Sequence, residues 1–134
     1  NLFHNFKIMK FFTEKVKYSK KKSHNYEISI LSDNNVFIGH YYIKFIKGNF
    51  LIYNVFIAEN FRGKNLCKDL ILDAIKSCKK IIKDEKLRAE IIIEVLKDNI
   101  PAVKCYKKCG FKFYKERSYK QENDMLILKL FHIL

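Results

Sequence analysis

A chain of 134 residues, 49% hydrophobic and 15% aromatic, can build one folded domain with a core, and this composition excludes a disordered chain. The net charge of +13 would suit a polyanion, but only three of the 27 basic residues are Arg and the Lys residues are scattered, which disfavours specific nucleic-acid binding. No apolar run approaches the roughly 20 residues of a membrane helix, and the start carries no signal-peptide pattern, so we expect a cytoplasmic protein with no membrane partner.

The first half of the chain predicts an antiparallel meander. It begins with Asn1 rather than Met, so we expect that upstream residues were removed or belong to a longer protein. Residues 1–18 mix apolar and basic side chains and fit either a strand or a helix. Beyond them, three β-rich segments are separated by polar turns. These segments are Tyr26–Leu31, Val36–Ile46 and Phe50–Ile57.

The second half alternates helices with strands. Apolar residues recur at helical spacing over residues 66–82, and residues 99–109 predict a shorter helix with Pro in its first turn and Gly just past its end. The remaining strands are Ala89–Val95, Phe111–Tyr114 and Met125–Phe131. We therefore predict a single domain over residues 1–134 of mixed α+β or α/β class, in which helices flank a central, mixed and mostly antiparallel sheet.

The four cysteines predict neither a disulfide framework nor a metal site. Cys67, Cys78, Cys105 and Cys109 form no C-x-x-C pair, and no His lies at zinc-finger spacing from them. Cys105 and Cys109 lie one helical turn apart, which would also allow a metal ligand pair. We expect reduced, structural thiols and no metal.

The loop that joins the third strand to the first helix has the composition of an anion site. A helix N-terminus carries unpaired N–H groups and a partial positive charge. Gly63 leaves room for a close approach, Asn65 tolerates a left-handed backbone, and Arg62 and Lys64 add charge. Residues 62–68 are therefore a candidate diphosphate cradle, although such a turn is also common as a plain basic loop.

Two motifs make the chain similar to a known family. Residues 62–67 fall on the pattern R/Q-x-x-G-x-G/A, with Asn65 in place of the usual second Gly and Cys67 in place of the final Gly or Ala. The pattern N-x-x-A-x-x-x-Y-x-x-x-G-F is met in full by Asn99, Ala102, Tyr106, Gly110 and Phe111. On these residues, residues 26–131 resemble the GCN5-related N-acetyltransferase (GNAT) superfamily.

The resemblance implies the acyl-CoA N-acyltransferase fold, with a splay between the strands that end near Ile57 and Val95. It also implies acetyl-CoA as cosubstrate. The diphosphate would rest on the N–H groups of the loop and the pantetheine arm on the end of the third strand. The coenzyme contacts that it implies are Phe56, Ile57, Arg62, Gly63, Lys64, Asn65, Leu66, Cys67, Lys68, Asn99 and Tyr106.

The resemblance further implies a proton acceptor and a proton donor for attack by a primary amine. Glu94, five residues before the motif Asn99, is the expected general base; the alternative is an exposed or ion-paired strand residue. Tyr106 is expected to protonate the departing CoA thiolate, because a phenol is a donor at neutral pH. Asn99 would bind pantetheine, cap its helix, or do both. Tyr53, where relatives often carry a carboxylate, is expected to contact the acceptor.

The acceptor is the least determined feature. The placement of Glu94 and the segment 117–125 look like those of protein N-terminal (RimI-like) acetyltransferases. Tyr119 would then pack over a peptide, and Glu122 or Asp124 would attract its α-ammonium; the alternative is an ordinary charged hairpin. A protein or peptide amine is favoured, with a small amine or glucosamine 6-phosphate next. The alternative function is a non-catalytic acetyl-CoA-binding or interaction module, and either a monomer or a homodimer fits.

Overall fold

A computed structural model of the chain describes residues 10–14, 25–31, 36–118 and 124–130. The helices and strands follow the predicted order. They are β1 (Lys10–Glu14), β2 (Asn25–Leu31), β3 (Phe37–Ile46), β4 (Asn49–Ile57), a 3₁₀ turn (Glu59–Phe61), α1 (Leu66–Asp84), β5 (Glu90–Leu96), α2 (Ile100–Lys108), β6 (Phe111–Arg117) and β7 (Met125–Leu130). Part of the segment 1–18, for which both a strand and a helix were open, is thus the strand β1.

The seven described strands form one mixed sheet, which confirms the predicted fold class. Their order is β1-β2-β3-β4-β5-β7-β6, so β7 is inserted between β5 and β6. Among the described pairs, β4–β5 is parallel and the others are antiparallel. The α1 crossover supplies the long connection that a parallel pair needs.

Both helices pack on one face of the sheet. The apolar stripe of α1 is buried against strand residues such as Ile43, Ile52 and Ile91, and α2 adds Val103 to the same core. On the opposite face, a separate small cluster is formed by Leu51, Ile92 and Ile127 with the partly buried Tyr53. Within the part of the chain that the structure describes, no helix is long and apolar enough to cross a membrane.

A buried polar contact fastens α1 to the sheet. The hydroxyl of Tyr41, a fully buried β3 residue, donates a hydrogen bond of 2.6 Å to Asp73 Oδ2 and lies 2.9 Å from Ser77 Oγ. Burial is the main cause that raises the pKa of the Asp73 carboxyl, while the bond from Tyr41 opposes that rise. The network therefore fastens the middle of α1 to β3.

The strands β4 and β5 diverge as predicted. They pair only over Asn49–Ile52 and Glu90–Ile93, although β4 continues to Ile57 and β5 to Leu96. Directly beyond the last pair, β4 contains a β-bulge. Tyr53 and Phe56, three residues apart on β4, pair with Tyr42 and His40, which are only two residues apart on β3. Asn54 takes a left-handed backbone there, with φ 50°. Such a bulge bends the strand away from its neighbour, which opens the space between β4 and β5.

Candidate functional site

A cavity of about 900 Å³ lies between the end of β4, the first turn of α1 and the helix α2. Most of the residues predicted from the two motifs line it. These are Ile57, Arg62, Gly63, Asn65, Leu66, Cys67, Lys68, Asn99 and Tyr106. Further lining residues, for which the sequence analysis predicted no coenzyme contact, include Val55, Phe61, Pro101, Ala102, Lys104, Cys105 and Lys108. The cavity therefore joins two motifs that are about thirty residues apart in the chain.

The loop before α1 has the backbone that an anion cradle needs. Gly63 and Asn65 both adopt left-handed conformations, with φ 73° and 60°. The side chain of Asn65 makes no capping hydrogen bond to the helix. No atom lies within 4 Å of the position where a side chain on Gly63 would begin, so the loop is open to an approaching group. The first N–H groups of α1 are thus available to a ligand anion.

Arg62 braces this loop against the end of β4. Its Nε donates a 2.8 Å hydrogen bond to the carbonyl oxygen of Ile57, and its guanidinium carbon lies 5.3 Å from the ring centroid of Phe56. The other guanidinium N–H groups remain available to a phosphate, because Arg carries five donors. Arg62 can therefore hold the loop and contact a ligand at the same time.

Phe56 and Lys64 do not line the cavity. The bulge at Asn54 inverts the side-chain alternation of β4, so Val55 and Ile57 face the helices and Phe56 faces the opposite side of the sheet. The ring of Phe56 stacks there on His40, with the centroids 5.2 Å apart. Any coenzyme contact of Phe56 would be made by its backbone, as the strand-end prediction supposed.

Three lysines surround the mouth of the cavity. Lys68 comes from α1, and Lys104 and Lys108 come from α2, and all three are exposed. Positive charge at this place adds to the partial charge of the α1 N-terminus and favours a phosphate-bearing ligand. Lys104 and Lys108 are not fixed positions of either motif, and they reach the cavity because α2 lies beside α1.

Tyr106 presents a phenol to the cavity. Its side chain is 5% exposed, and no hydrogen bond joins its hydroxyl to another described residue. Burial, with a smaller contribution from the nearby Cys109, raises the pKa of Tyr106 to about 12. The hydroxyl therefore keeps its proton throughout the neutral range and can donate it to a ligand atom.

Asn99 caps α2. Its Oδ1 accepts a 3.3 Å hydrogen bond from the N–H of Ala102. This is one of the two roles predicted for Asn99, and it orients the first turn of α2 along the cavity wall.

Glu94 lies on the opposite face of the sheet from Tyr106. Along β5, Ile93 and Val95 belong to the core under the helices, so Glu94 alternates onto the face that carries Ile92. Glu94 is partly buried and follows the last paired residue of the β4–β5 ladder, which places it at the splay. A proton acceptor on one face and a phenol donor on the other would thus flank the gap between the strands.

Tyr53 lies on the same face as Glu94. It packs on the small cluster there, next to Tyr42, and the Lys44 ammonium lies 4.7 Å from its ring centroid. Tyr119 and Glu122, also predicted to contact the acceptor, lie outside the described residues.

The prediction of four reduced cysteines is wrong for one pair. Cys67 in the first turn of α1 and Cys105 in α2 form a disulfide, with their Cα atoms 6.5 Å apart, whereas Cys78 and Cys109 are free thiols. The partners are 38 residues apart in the chain and meet only because the helices pack together, so their spacing carries no signal. No three His, Cys, Asp or Glu among the described residues could hold a metal together, and the absence of a metal stays a prediction.

Comparison with known proteins identifies the family. The model of the acetyltransferase (GNAT) family matches residues 3–111. No curated protein matches. Among solved structures, a chimera of Vibrio cholerae spermidine N-acetyltransferase SpeG and hSSAT superposes with a TM-score of 0.66 at 20% identity, covering 79% of this chain and 64% of that one.

The Vibrio cholerae enzyme in complex with CoA and spermine gives a TM-score of 0.63 at 18% identity, covering 78% of this chain and 63% of that chain. A further structure of that enzyme is in complex with manganese ions. This chain thus spans slightly less than two thirds of the length of these similar chains. The match of the family model over most of the chain, together with the splayed sheet and both motifs, shows that the chain belongs to the GNAT acetyltransferase family.

Proposed function

We propose that the protein is an N-acetyltransferase that transfers an acetyl group from acetyl-CoA to a primary amine by direct attack in a ternary complex. The observation that carries this proposal is the single cavity in which a left-handed loop at a helix N-terminus, a splayed strand end and the unpaired phenol of Tyr106 come together. Family membership supports the same reaction class.

The cavity residues fit the coenzyme chemically. The N–H groups of residues 63–68 and the ammonium groups of Lys68 and Lys104 suit a diphosphate. The edge of β4 beyond Ile52 is no longer paired with β5, so its backbone groups can bond the amide groups of a pantetheine arm. A strand N–H near Ile57 would also polarise the acetyl carbonyl.

The proposed proton acceptor and proton donor lie on opposite faces of the sheet, at the gap between β4 and β5. Glu94 would accept the proton that the amine loses as its nitrogen attacks the acetyl carbon and the carbon–sulfur bond breaks. Tyr106 would donate a hydrogen bond to the departing sulfur. A thiol has an ordinary pKa near 8.5, so complete transfer from a phenol with a pKa of about 12 would be uphill by roughly 5 kcal/mol. We infer that Tyr106 stabilises the thiolate as a donor and that solvent supplies the final proton.

The acceptor that we propose is the amine of a protein or peptide, with a small amine or glucosamine 6-phosphate next. The similar solved structures are spermidine N-acetyltransferases, which makes a polyamine the natural comparison. This chain carries a net charge of +13, which disfavours the approach of a polycation. The Lys44 ammonium close to Tyr53, on the face of Glu94, adds to that repulsion.

Measuring release of the CoA thiol with different acceptor amines tests both the proposed reaction and the proposed acceptor. We expect kcat/KM to be highest for an N-terminal peptide, lower for glucosamine 6-phosphate and lowest for spermidine. A preference for the sugar phosphate above about a hundredfold, roughly 2.7 kcal/mol of discrimination, would end the peptide assignment. Binding of acetyl-CoA without thiol release with any amine would instead support the non-catalytic module.

A further inference from the structure

The disulfide between Cys67 and Cys105 forms part of the cavity wall. Both residues line the cavity, and both are partly exposed, so a small thiol can reach them. Cys67 is the second residue of α1, which places it among the N–H groups that make up the anion cradle. The covalent bond therefore acts on the same helical turn as the proposed coenzyme.

The bond adds a covalent restraint to a turn that is otherwise held by the buried Leu66 and by the Arg62 brace. The loop in front of it holds two left-handed residues, Gly63 and Asn65, and the N-cap lacks a side-chain hydrogen bond. Helix ends of this kind fray readily. When the bond is reduced, the two sulfur atoms must move from bonding to van der Waals separation, which pushes the first turn of α1 away from α2 or turns a thiol into the cavity.

The other two cysteines are poorly suited to exchange with this pair. Cys109 lies one turn beyond Cys105, and its Sγ is 3.9 Å from the Lys68 carbonyl oxygen, to which it can donate. Burial raises the pKa of the Cys109 thiol and, more strongly, that of the fully buried Cys78. Both stay protonated at neutral pH, and a thiol is a far weaker nucleophile than a thiolate.

We propose that Cys67 and Cys105 form a reversible modification site that sets the affinity for acetyl-CoA: the disulfide holds the cradle in place, and reduction weakens coenzyme binding. The proposal rests on the proposed function, because it concerns the same cavity. A monothiol of the glutathione class would attack one sulfur to give a mixed disulfide, and a second monothiol would release it. The products are two cysteine thiols and one external disulfide, so two electrons enter the protein and two monothiols are oxidised.

Calorimetry with acetyl-CoA, a thioester without a free thiol, compares the protein in its disulfide form with the protein after reduction by a phosphine, so that neither the ligand nor the reductant adds a competing thiol. Mass spectrometry after alkylation establishes the redox state of each sample. We expect reduction to weaken acetyl-CoA binding by about fivefold or more, which is the lower end of common couplings between sites. Cys105→Ser should bind acetyl-CoA like the reduced protein and ignore the phosphine. Cys109→Ser, which keeps the pair, should retain the full redox response.

The possible outcomes separate the two proposals. Equal acetyl-CoA affinity of the disulfide and reduced forms would overturn the redox proposal and leave the proposed function intact. Tighter binding by the reduced form would overturn it as well, since the bond would then obstruct the cradle. Failure of both forms to bind acetyl-CoA would overturn the proposed function and the redox proposal together.

Discussion

Two Tyr→Phe substitutions separate the catalytic role of one phenol from the structural role of another. Tyr106 and Tyr41 are both buried, but Tyr106 makes no hydrogen bond to another described residue, whereas the Tyr41 hydroxyl is bonded to Asp73 and lies beside Ser77. Replacing Tyr106 removes the donor that stabilises the leaving sulfur, which should lower kcat by about 10²–10³-fold, or roughly 2.7–4 kcal/mol. The free energy of unfolding should not fall, because the lost hydroxyl is buried and bonds no other described residue.

The Tyr41→Phe variant is the matched control. Its lost bond to a carboxylate should lower the free energy of unfolding by about 1.5–3 kcal/mol, while the folded protein keeps its kcat. Urea denaturation gives the stability of each variant, and thiol release at saturating acetyl-CoA and amine gives kcat. If Tyr106→Phe kept nearly full kcat, Tyr106 would be a packing residue and our assignment of the donor would be wrong. A Tyr106→Phe variant as destabilised as Tyr41→Phe would contradict the structural part of the argument.

Three further predictions concern the loop before α1, the fall in kcat at alkaline pH and the role of Glu94 as proton acceptor. Gly63→Ala should weaken acetyl-CoA binding, because the backbone at position 63 has a φ of 73°, which costs an L residue about 1–2 kcal/mol. Gly48→Ala is the control: position 48 has a φ of 79° and equally open space, but it lies in the remote β3–β4 hairpin. This variant should carry the same backbone strain and still bind acetyl-CoA normally by calorimetry. Because burial raises the pKa of Tyr106 to about 12 from an unfolded value of 10.0, its stabilising contribution is complete below pH 10 and is lost as the pH rises through about 12. Any fall in kcat that is complete by pH 10 must therefore come from a group other than Tyr106, so it should also be seen in Tyr106→Phe. If this fall disappeared in Tyr106→Phe, the raised pKa of Tyr106 would be refuted. Glu94→Gln should lower kcat by about 10²–10⁴-fold, and a variant that keeps nearly full kcat would show that water or the substrate itself carries the proton.

Local sequence patterns predicted the helices, the strands and the backbone of the loop before α1. The 3.6-residue apolar period of α1 reflects burial of one helix face, and the structure buries Leu66, Leu70 and Ile71 on that face. Asn65 was expected to accept a left-handed backbone in place of Gly, and it does so at φ 60°. Because these features depend on neighbouring residues alone, the sequence is sufficient to predict them.

Features that depend on packing between distant segments were not predicted. The bulge at Asn54 shifts β4 by one residue, which inverts every later side chain and moves the ring of Phe56 away from the cavity. The Cys67–Cys105 bond and the contribution of Lys104 to the cavity mouth both require α2 to lie beside α1. A sequence pattern records which face of an element is apolar, but not which neighbouring element covers that face.

Calorimetric titration of the disulfide form with acetyl-CoA tests the central claim most directly, because both the proposed chemistry and the redox site require that the cavity hold this coenzyme. We predict saturable binding of one acetyl-CoA per chain, weakened in Arg62→Ala, which loses both the brace to the Ile57 carbonyl and a phosphate donor. No heat of binding and no thermal shift at millimolar acetyl-CoA would contradict the account.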